Sequence, residues 1–321
     1  MAPYNDKTTA EEVASNCASA IANKTVLITG VSPGSLGASF AITLAKYSPG
    51  LVILANRNVS KAEETAKEIA SIAPGVKTRI LELDLGSQAQ IRKAAAEVNS
   101  YEENIDVLVN NAGVLATRYS LTEDGLESHF GINHIGHFLF TNLIMGKLLA
   151  AGEGARVVIV ASDGWRFSPV RFADWGFDNG KTYHMWRAYG QSKTANMLFA
   201  VSLAEKLGKK GLIAVSLQPG VVKTHLGREM REEDVAAVAQ LDRDQGNSWR
   251  WGPATYKNLS EGTATHMFAA FDPSVAQHNG AFLRDCQVVP PDKVRCWTRD
   301  RLEAEMLWKL SEEIVGQKFE Y

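Results

Sequence analysis

The strongest constraint in this sequence is an alternation. From Lys24 onward, short runs of β-branched and apolar residues are each followed by a longer segment with apolar residues at helical spacing. Residues 25–29 read as a strand, and Phe40, Ile42, Leu44 and Ala45 mark the helix behind it. The same pair recurs at 51–55 with 60–72, and at 78–83 with 87–98. Residues 105–109, 156–161 and 212–217 read as further buried strands with long helices between them. Spacers of that length force parallel crossovers, right-handed, with helices on both faces. The expected fold is α/β: a doubly wound parallel sheet in one domain over 24–321, preceded by a helical extension at 1–23. In that extension Thr9 and Glu12 have capping-box spacing, and Val13, Cys17 and Ile21 share a helical face.

Composition removes several function classes. The chain has 321 residues, 45% of them hydrophobic, which suits a large core and not a membrane protein. A net charge of −2 gives no field to gather nucleic acid or an anionic bilayer. The 3 cysteines, Cys17, Cys286 and Cys296, form no CxxC pair, which argues against a disulfide framework or structural zinc and for a reducing compartment. The start of the chain, acidic by Glu11 and Glu12, lacks the order of a signal peptide. The most apolar later stretch, 138–151, is too short to span a bilayer and carries Asn142 and Lys147. Expectation therefore settles on a cytosolic protein with a small-molecule substrate, no nucleic acid and no membrane span.

The first strand runs into Thr29-Gly30-Val31-Ser32-Pro33-Gly34-Ser35-Leu36-Gly37, then a helix. Such a turn lets backbone N–H groups approach a pyrophosphate at the positive helix end, so Gly30, Ser32, Gly34, Ser35, Leu36 and Gly37 are candidate cofactor contacts. The end of the second strand selects the cofactor. An NAD site would place an acid there for the ribose 2′-hydroxyl, whereas this chain has Ala55-Asn56-Arg57 with no acid in reach. Arg57 suits a 2′-phosphate, and the expected cofactor is NADP(H).

Tyr189 and Lys193 stand four apart on a predicted helix, on one face and one turn apart. An ammonium there should lower the phenol pKa toward the working range of an acid/base. The pair alone is thin evidence, since roughly half a YxxxK match arises by chance at this composition. Its company adds weight. Asn110-Asn111-Ala112-Gly113 ends the fourth strand, Asn133 falls inside the next helix, and Ser162 follows the fifth strand. Ligands bind at the carboxyl ends of strands in such sheets.

Taken together, TGxxxG, NNAG, a mid-helix Asn, Ser162, YxxxK and Pro219-Gly220 resemble the Rossmann-type short-chain dehydrogenase/reductase family over about residues 24 to 290. In texture the chain is most similar to retinol-dehydrogenase-like and WW-domain-oxidoreductase-like members, through Ala55-Asn56-Arg57, Tyr189-Gly190-Gln191-Ser192-Lys193 and Leu307-Trp308-Lys309-Leu310-Ser311-Glu312-Glu313. The resemblance implies that Tyr189 exchanges a proton with the substrate oxygen and that Lys193 holds the nicotinamide ribose. It implies that Ser162 bonds the substrate oxygen and that Asn133 positions a water linked to Lys193. Asp84 and Leu85 match an adenine pocket, Asn111 and Gly113 the NNAG contact, and Val222 and Thr224 the residues holding carboxamide and diphosphate. Family members commonly pair through the helices holding Asn133 and Tyr189, so the resemblance admits a homodimer or homotetramer.

There are departures. The glycine turn is one residue longer than GxxxGxG, or has Ser35 in a glycine's place. Two aromatic-rich stretches, 163–187 and 225–256, interrupt the alternation. They read as substrate loops, lid or pocket wall, or as loops pinned to the body by their aromatics. His129, His134 and His137 have helical spacing but no ligand set for a metal, and read as packing histidines. The acidic stretch 229–234 reads as a solvated helix face. The C-terminal stripe Leu302, Met306, Leu310 and Ile314 covers either a partner or the chain's own body. The expected activity is hydride transfer to or from a carbonyl/alcohol pair of a bulky apolar molecule. A noncatalytic NADP-binding regulator and a redox-neutral epimerase or dehydratase are the alternatives, and the complete Asn133, Ser162, Tyr189, Lys193 set disfavours the first.

Overall fold

Apolar runs without alternation become strands covered on both sides. The computed structural model describes residues 4–115, 118–227, 230–247 and 256–321. In it β1 (Thr25–Thr29), β2 (Leu51–Asn56), β3 (Thr78–Glu82), β4 (Val107–Asn110), β5 (Arg156–Val160) and β6 (Ile213–Gln218) appear within a residue or two of the expected ranges. They lie parallel in the order β3-β2-β1-β4-β5-β6. Val26 sits beside Val52 on one side and Val107 on the other. The chain reverses its direction of growth between β1 and β4, the place where a crevice opens beyond the strand ends. β7 (Val221–Val222) and β8 (Tyr256–Lys257) form a separate short pair. β9 (Phe282–Arg284) extends the main sheet beside β6, and β10 (Gln287–Val288) closes that edge antiparallel, giving 8 strands among the described residues.

Alternate side chains of each strand feed two cores. Val26, Ile28, Val52 and Leu54 pack under α1 (Ala10–Asn16), α2 (Ala18–Ile21), α3 (Leu36–Ala45), α4 (Val59–Ile72) and α10 (Leu259–Phe271). Leu27, Ile53 and Leu108 face α5 (Gln88–Ser100), α6 (His137–Leu143), α7 (Met145–Leu149), α8 (Met185–Leu207) and α11 (Arg301–Val315). The remaining helix, α9 (Glu232–Asp244), lies outside both layers over the loop 163–187. The Thr9 hydroxyl accepts the Glu12 N–H at 3.2 Å and starts α1 as expected. The extension then breaks at Cys17 (φ −106°, ψ 15°), yet Val13, Cys17 and Ile21 all remain buried.

Two helices differ from expectation. Residues His129–Gly136 form a π-helix that runs on into α6. The buried Glu127 carboxylate caps its start, accepting the N–H of His129 at 3.0 Å and of Phe130 at 2.9 Å. In α11 the buried face is Ala304, Leu307, Trp308, Ser311 and Val315, while Leu302 is 70% exposed and Met306 42%. The face that docks contains a serine, whose Oγ lies 2.9 Å from His134 Nε2, and this polar member hid it from an apolar-stripe reading.

What α11 covers matters for assembly. Trp308 packs 5.0 Å from Phe138 of α6 and 6.2 Å from Phe199 of α8, and Phe319 packs 5.7 Å from Phe138. Ser202 Oγ donates to Ala304 O at 3.0 Å, and Lys206 pairs with Glu305 at 2.7 Å. The helices through which the resemblance implied pairing are therefore already covered by the chain's own C-terminal segment. Truncating this anchor, Trp308→Ala, is expected to cost about 3–5 kcal/mol. In urea titration this appears as a lower midpoint with little change in slope.

Candidate active site

The glycine turn closes on itself before α3. Ser35 N–H donates to Ser32 O at 3.0 Å across Pro33 and Gly34, the latter at φ +73°. Proline second and a positive-φ glycine third make this a type II turn, which absorbs the extra residue. Ser35 then caps α3: its Oγ accepts from Ala38 N at 3.1 Å and donates to Gly30 O at 3.1 Å. A hydroxyl thus stands where the shorter motif has a glycine. At Gly37 a Cβ would lie 2.4 Å from Gly30 O and 2.6 Å from Asn111 Nδ2, so the bare glycine leaves room for the turn's own carbonyl and for the Asn111 side chain. Leu36 opens the first turn of α3, whose N–H groups face the crevice and suit a pyrophosphate. Val222, on β7, packs over this end: a Cβ on Gly262 would meet Val222 Cγ2 at 2.4 Å and Leu36 Cδ2 at 3.1 Å. Thr224 follows, its Oγ1 accepting from Leu226 N at 3.3 Å.

Beyond β2, Asn56 Nδ2 donates to Asn58 O at 2.8 Å and to Ser32 Oγ at 3.3 Å, joining the strand end to the glycine turn. Arg57 projects outward with its side chain 74% exposed. The expectation that no acid lies in reach needs correction. Asp84, from the loop after β3, brings Oδ2 to 4.0 Å from Arg57 Nε, while its Oδ1 accepts from Gly86 N at 2.8 Å. Leu85 beside it is buried and approaches the π-helix, where a Cβ on Gly136 would meet Leu85 O at 2.5 Å.

The NNAG segment is fixed from β1. Thr29 Oγ1 accepts the N–H of Asn111 at 3.0 Å and of Ala112 at 2.9 Å, and Asn111 Nδ2 donates to Thr29 O at 2.8 Å and Gly30 O at 3.2 Å. Thr29 Oγ1 also lies 2.9 Å from His137 Nε2, and His137 Nδ1 lies 3.1 Å from Asn133 O. A carbonyl only accepts, so Nδ1 carries the hydrogen. Burial holds this imidazole neutral, its pKa pushed down to about 4, so Nε2 is bare and takes the Thr29 hydroxyl hydrogen. From sequence His137 read only as a packing histidine and Thr29 only as the start of the glycine turn; neither had a part in holding the site together, although His137 stands four residues after Asn133. Asn133 itself donates from Nδ2 to Val114 O at 3.1 Å and Ser192 Oγ at 3.0 Å, and accepts from Val114 N at 2.8 Å. Gly113 lies between: a Cβ there would be 3.1 Å from Asn133 Oδ1 and 3.7 Å from Lys193 Nζ.

At the end of β5, Ser162 caps the 3-10 turn Asp163–Phe167, its Oγ accepting from Gly164 N at 3.1 Å, and the Tyr189 ring packs against the same Gly164. Tyr189 and Lys193 share a face of α8, with Lys193 Nζ 5.6 Å from the tyrosine ring centroid and donating to Val160 O at 3.0 Å. Gly164 makes the contact possible, since a Cβ there would stand 2.8 Å from Tyr189 Cε1. The electrostatics run opposite to the sequence expectation. Burial pushes the Tyr189 phenol above its ordinary value, and the Ser162 hydroxyl pulls it back in part. Lys193 is buried too, and desolvation lowers its own pKa to about 8, so the ammonium that should ease the phenol's ionisation is itself disfavoured.

The aromatic loop 163–187 divides between the two roles left open for it. Phe167 and Trp186, with Tyr183 partly buried beside them, pack around Tyr189 and form a wall. Trp175 pins the loop to the body, lying 5.9 Å from Phe130, while Phe177 meets Tyr183 edge-on at 5.7 Å within the loop itself. Gln191 and Thr194 of α8 hold it from below, through Trp175 O at 2.9 Å and Ser168 O at 2.7 Å. In the second loop, α9 brings Val238 and Leu241 to the same wall. Its first turn carries Glu232, Glu233 and Asp234, so that part of the acidic stretch is a helix start. Trp249 and Trp251 lie outside the described residues. His129 bonds Glu127 at 2.8 Å, and all three helical histidines have partners inside the fold.

Lys193 sets a stability signature. Its folded pKa lies below the unfolded value, so between about pH 8 and 10 the unfolded chain binds the extra proton. Stability from this residue rises with pH over that window. Urea titrations are expected to show a gain of about 2–3 kcal/mol across it, which Lys193→Met abolishes while raising stability at pH 7.

Comparison with known proteins follows the same lines. Residues 24–174 match the family model for short chain dehydrogenases. Human retinol dehydrogenase 14 is 35% identical over 306 residues, covering 91% of this chain and 86% of that protein. Mouse retinol dehydrogenase 12 is 34% identical, covering 94% and 89%. Among solved structures, an uncharacterized protein from Mycobacterium paratuberculosis superimposes with a TM-score of 0.69 at 30% identity, covering 94% of this chain and 96% of that one. A strand order that reverses between β1 and β4, a glycine turn closing on NNAG, and relatives of this identity along nearly the whole chain lead to one assignment: it belongs to the short-chain dehydrogenase/reductase family, resembling retinol dehydrogenases, and is an NAD(P)-dependent oxidoreductase.

Proposed function

We propose that the chain is an NADP(H)-dependent oxidoreductase acting on the carbonyl/secondary-alcohol pair of a bulky apolar small molecule, with Tyr189 as its acid/base. The observation that carries this reading is the convergence of the Tyr189 ring and Ser162 Oγ on Gly164, with the buried Lys193 Nζ 5.6 Å from that ring. When bound, the nicotinamide cofactor supplies or accepts the hydride. Ser162 and Tyr189 can both direct a hydrogen bond to one substrate oxygen, where charge builds as the carbonyl is reduced. Tyr189 gives its proton to that oxygen, or takes it in the oxidative direction. Lys193 offsets the phenolate left behind and would hold ribose hydroxyls. The Asn133 amide keeps Ser192 and the segment after Gly113 in register with Lys193.

For the cofactor, the Gly30–Gly37 turn and the start of α3 would cradle the pyrophosphate, with Ser32 and Ser35 shaping it. Asp84 and Leu85 would flank the adenine. Asn111 and Gly113 would contact the ribose side, and Val222 and Thr224 the carboxamide. Arg57 favours the phosphorylated dinucleotide, because its exposed guanidinium has room to turn from Asp84 to a 2′-phosphate. An apolar substrate is supported by the wall of Phe167, Met185, Trp186 and Leu241, and by the similarity to proteins named retinol dehydrogenases. Among the described residues no helix is long and apolar enough to cross a membrane. The cytosolic reading rests on composition and on Cys17 and Cys286, buried free thiols whose pKa values burial lifts to about 11 and about 12.

Tyr189→Phe is expected to keep NADPH binding within about threefold while turnover falls by roughly 10²–10⁴. Equal turnover in the variant would remove Tyr189 from the chemistry. Arg57→Ala is expected to weaken NADPH by about ten- to a hundredfold and NADH hardly at all, read as dissociation constants by fluorescence titration. Equal losses for the two dinucleotides would refute the 2′-phosphate role.

A further inference from the structure

Two segments meet over the substrate side of Tyr189, and a buried ion pair joins them. One is the 3-10 turn Asp163–Phe167, which begins at Ser162. The other is the end of α9 with residues 245–247. Arg166 Nε lies 2.9 Å from Asp242 Oδ1 and 3.1 Å from Oδ2, with side-chain exposures of 14% and 1%. Asn247 Nδ2 donates to the same carboxylate at 2.8 Å, and Asn247 Oδ1 accepts from Arg295 Nη2 at 2.6 Å. Gln245 Nε2 donates to Phe167 O at 3.1 Å. On the turn, Arg166 Nη1 donates to Asp163 O at 3.0 Å and its guanidinium lies 4.6 Å from the Phe167 ring.

Among the described residues, few apolar side chains anchor α9. Its buried residues are Val238, Leu241 and Asp242, and Val235 is 51% exposed. Two apolar side chains are a small anchor for a helix of 13 residues, a length at which an isolated helix is marginal in water. Near its start, Trp186 Nε1 donates to Asp234 O at 2.7 Å, which orients the helix from the α8 side. The carboxylate is acceptor-only and sits in a nearly dry position, so the charged partner Arg166 contributes most to seating that end of α9.

We infer that Arg166 and Asp242 form a latch that seats α9 as a separately releasable lid over the substrate face of Tyr189. They are positioning residues: closure presses Val238 and Leu241 onto Phe167, Met185 and Trp186, completing an apolar site. The substrate part of this inference rests on the oxidoreductase reading; the mechanical part does not.

The test uses the full chain and two readouts. In hydrogen–deuterium exchange, Asp242→Asn and Arg166→Met are expected to speed the amides of α9 by about tenfold or more, with α8 and the sheet unchanged. Arg166→Lys, which keeps the charge but not the two-pronged geometry, is expected to fall between them and wild type. With NADPH and menthone as a bulky apolar ketone, KM for the ketone is expected to rise about tenfold in Asp242→Asn, with KM for NADPH unchanged and kcat altered less than threefold. Unchanged α9 exchange, or faster exchange spread equally through α8, overturns the latch. Faster α9 exchange with an unchanged ketone KM overturns its role in substrate positioning. A wild-type protein inert with NADPH and every carbonyl compound tried counts against the oxidoreductase reading, and the exchange experiment then judges the latch alone.

Discussion

Several segments that must act together converge on one hydroxyl, that of Thr29. It ends β1 at the glycine turn, receives the N–H of Asn111 and Ala112, and passes its own hydrogen to His137. His137 in turn holds the carbonyl of Asn133. These groups are buried, where an unmade hydrogen bond costs about 1–3 kcal/mol, so none of the three pieces can shift without exposing a cost in the others. The cofactor turn, the NNAG segment and the π-helix are thereby held as one unit. Rearranging any one of them to suit a ligand means rearranging all.

A second constraint is the dryness around Tyr189 and Lys193. Tyr189 and Lys193 stand in a site that disfavours charge on either, one pushed up and the other down to about 8. Such a site is poised for a reaction that creates and removes charge within a single turnover, because preorganised groups act more strongly where water is excluded. The apolar wall from Phe167 to Leu241 supplies that exclusion, and the loops that were outside the strand–helix rhythm are the ones that build it.

Legibility in the sequence followed the range of the signal. Strand runs such as 156–160 were readable because continuous apolar β-branched residues report burial on both faces directly. The Tyr189–Lys193 spacing was readable because four residues is one helical turn. What was missed depends on partners far apart along the chain: Thr29 and His137 are separated by 108 positions and Arg166 and Asp242 by 76. No periodicity announces such pairs. The direction of the Tyr189 shift was missed because it is set first by burial, which a four-residue motif does not report. The docking face of α11 was missed because Ser311, polar by composition, is buried by its bond to His134.

The covering of α8 by α11 also has a consequence for biosynthesis. The helix that carries Tyr189 leaves the ribosome roughly a hundred residues before the segment that shields Phe199 and Phe138, at about 5–20 residues per second. For several seconds those rings are bare, and a nascent chain in that interval is a client for chaperones and a hazard for aggregation. The wall of the catalytic helix is the last part of the described fold to be installed, so maturation of the site waits on residues that never touch it.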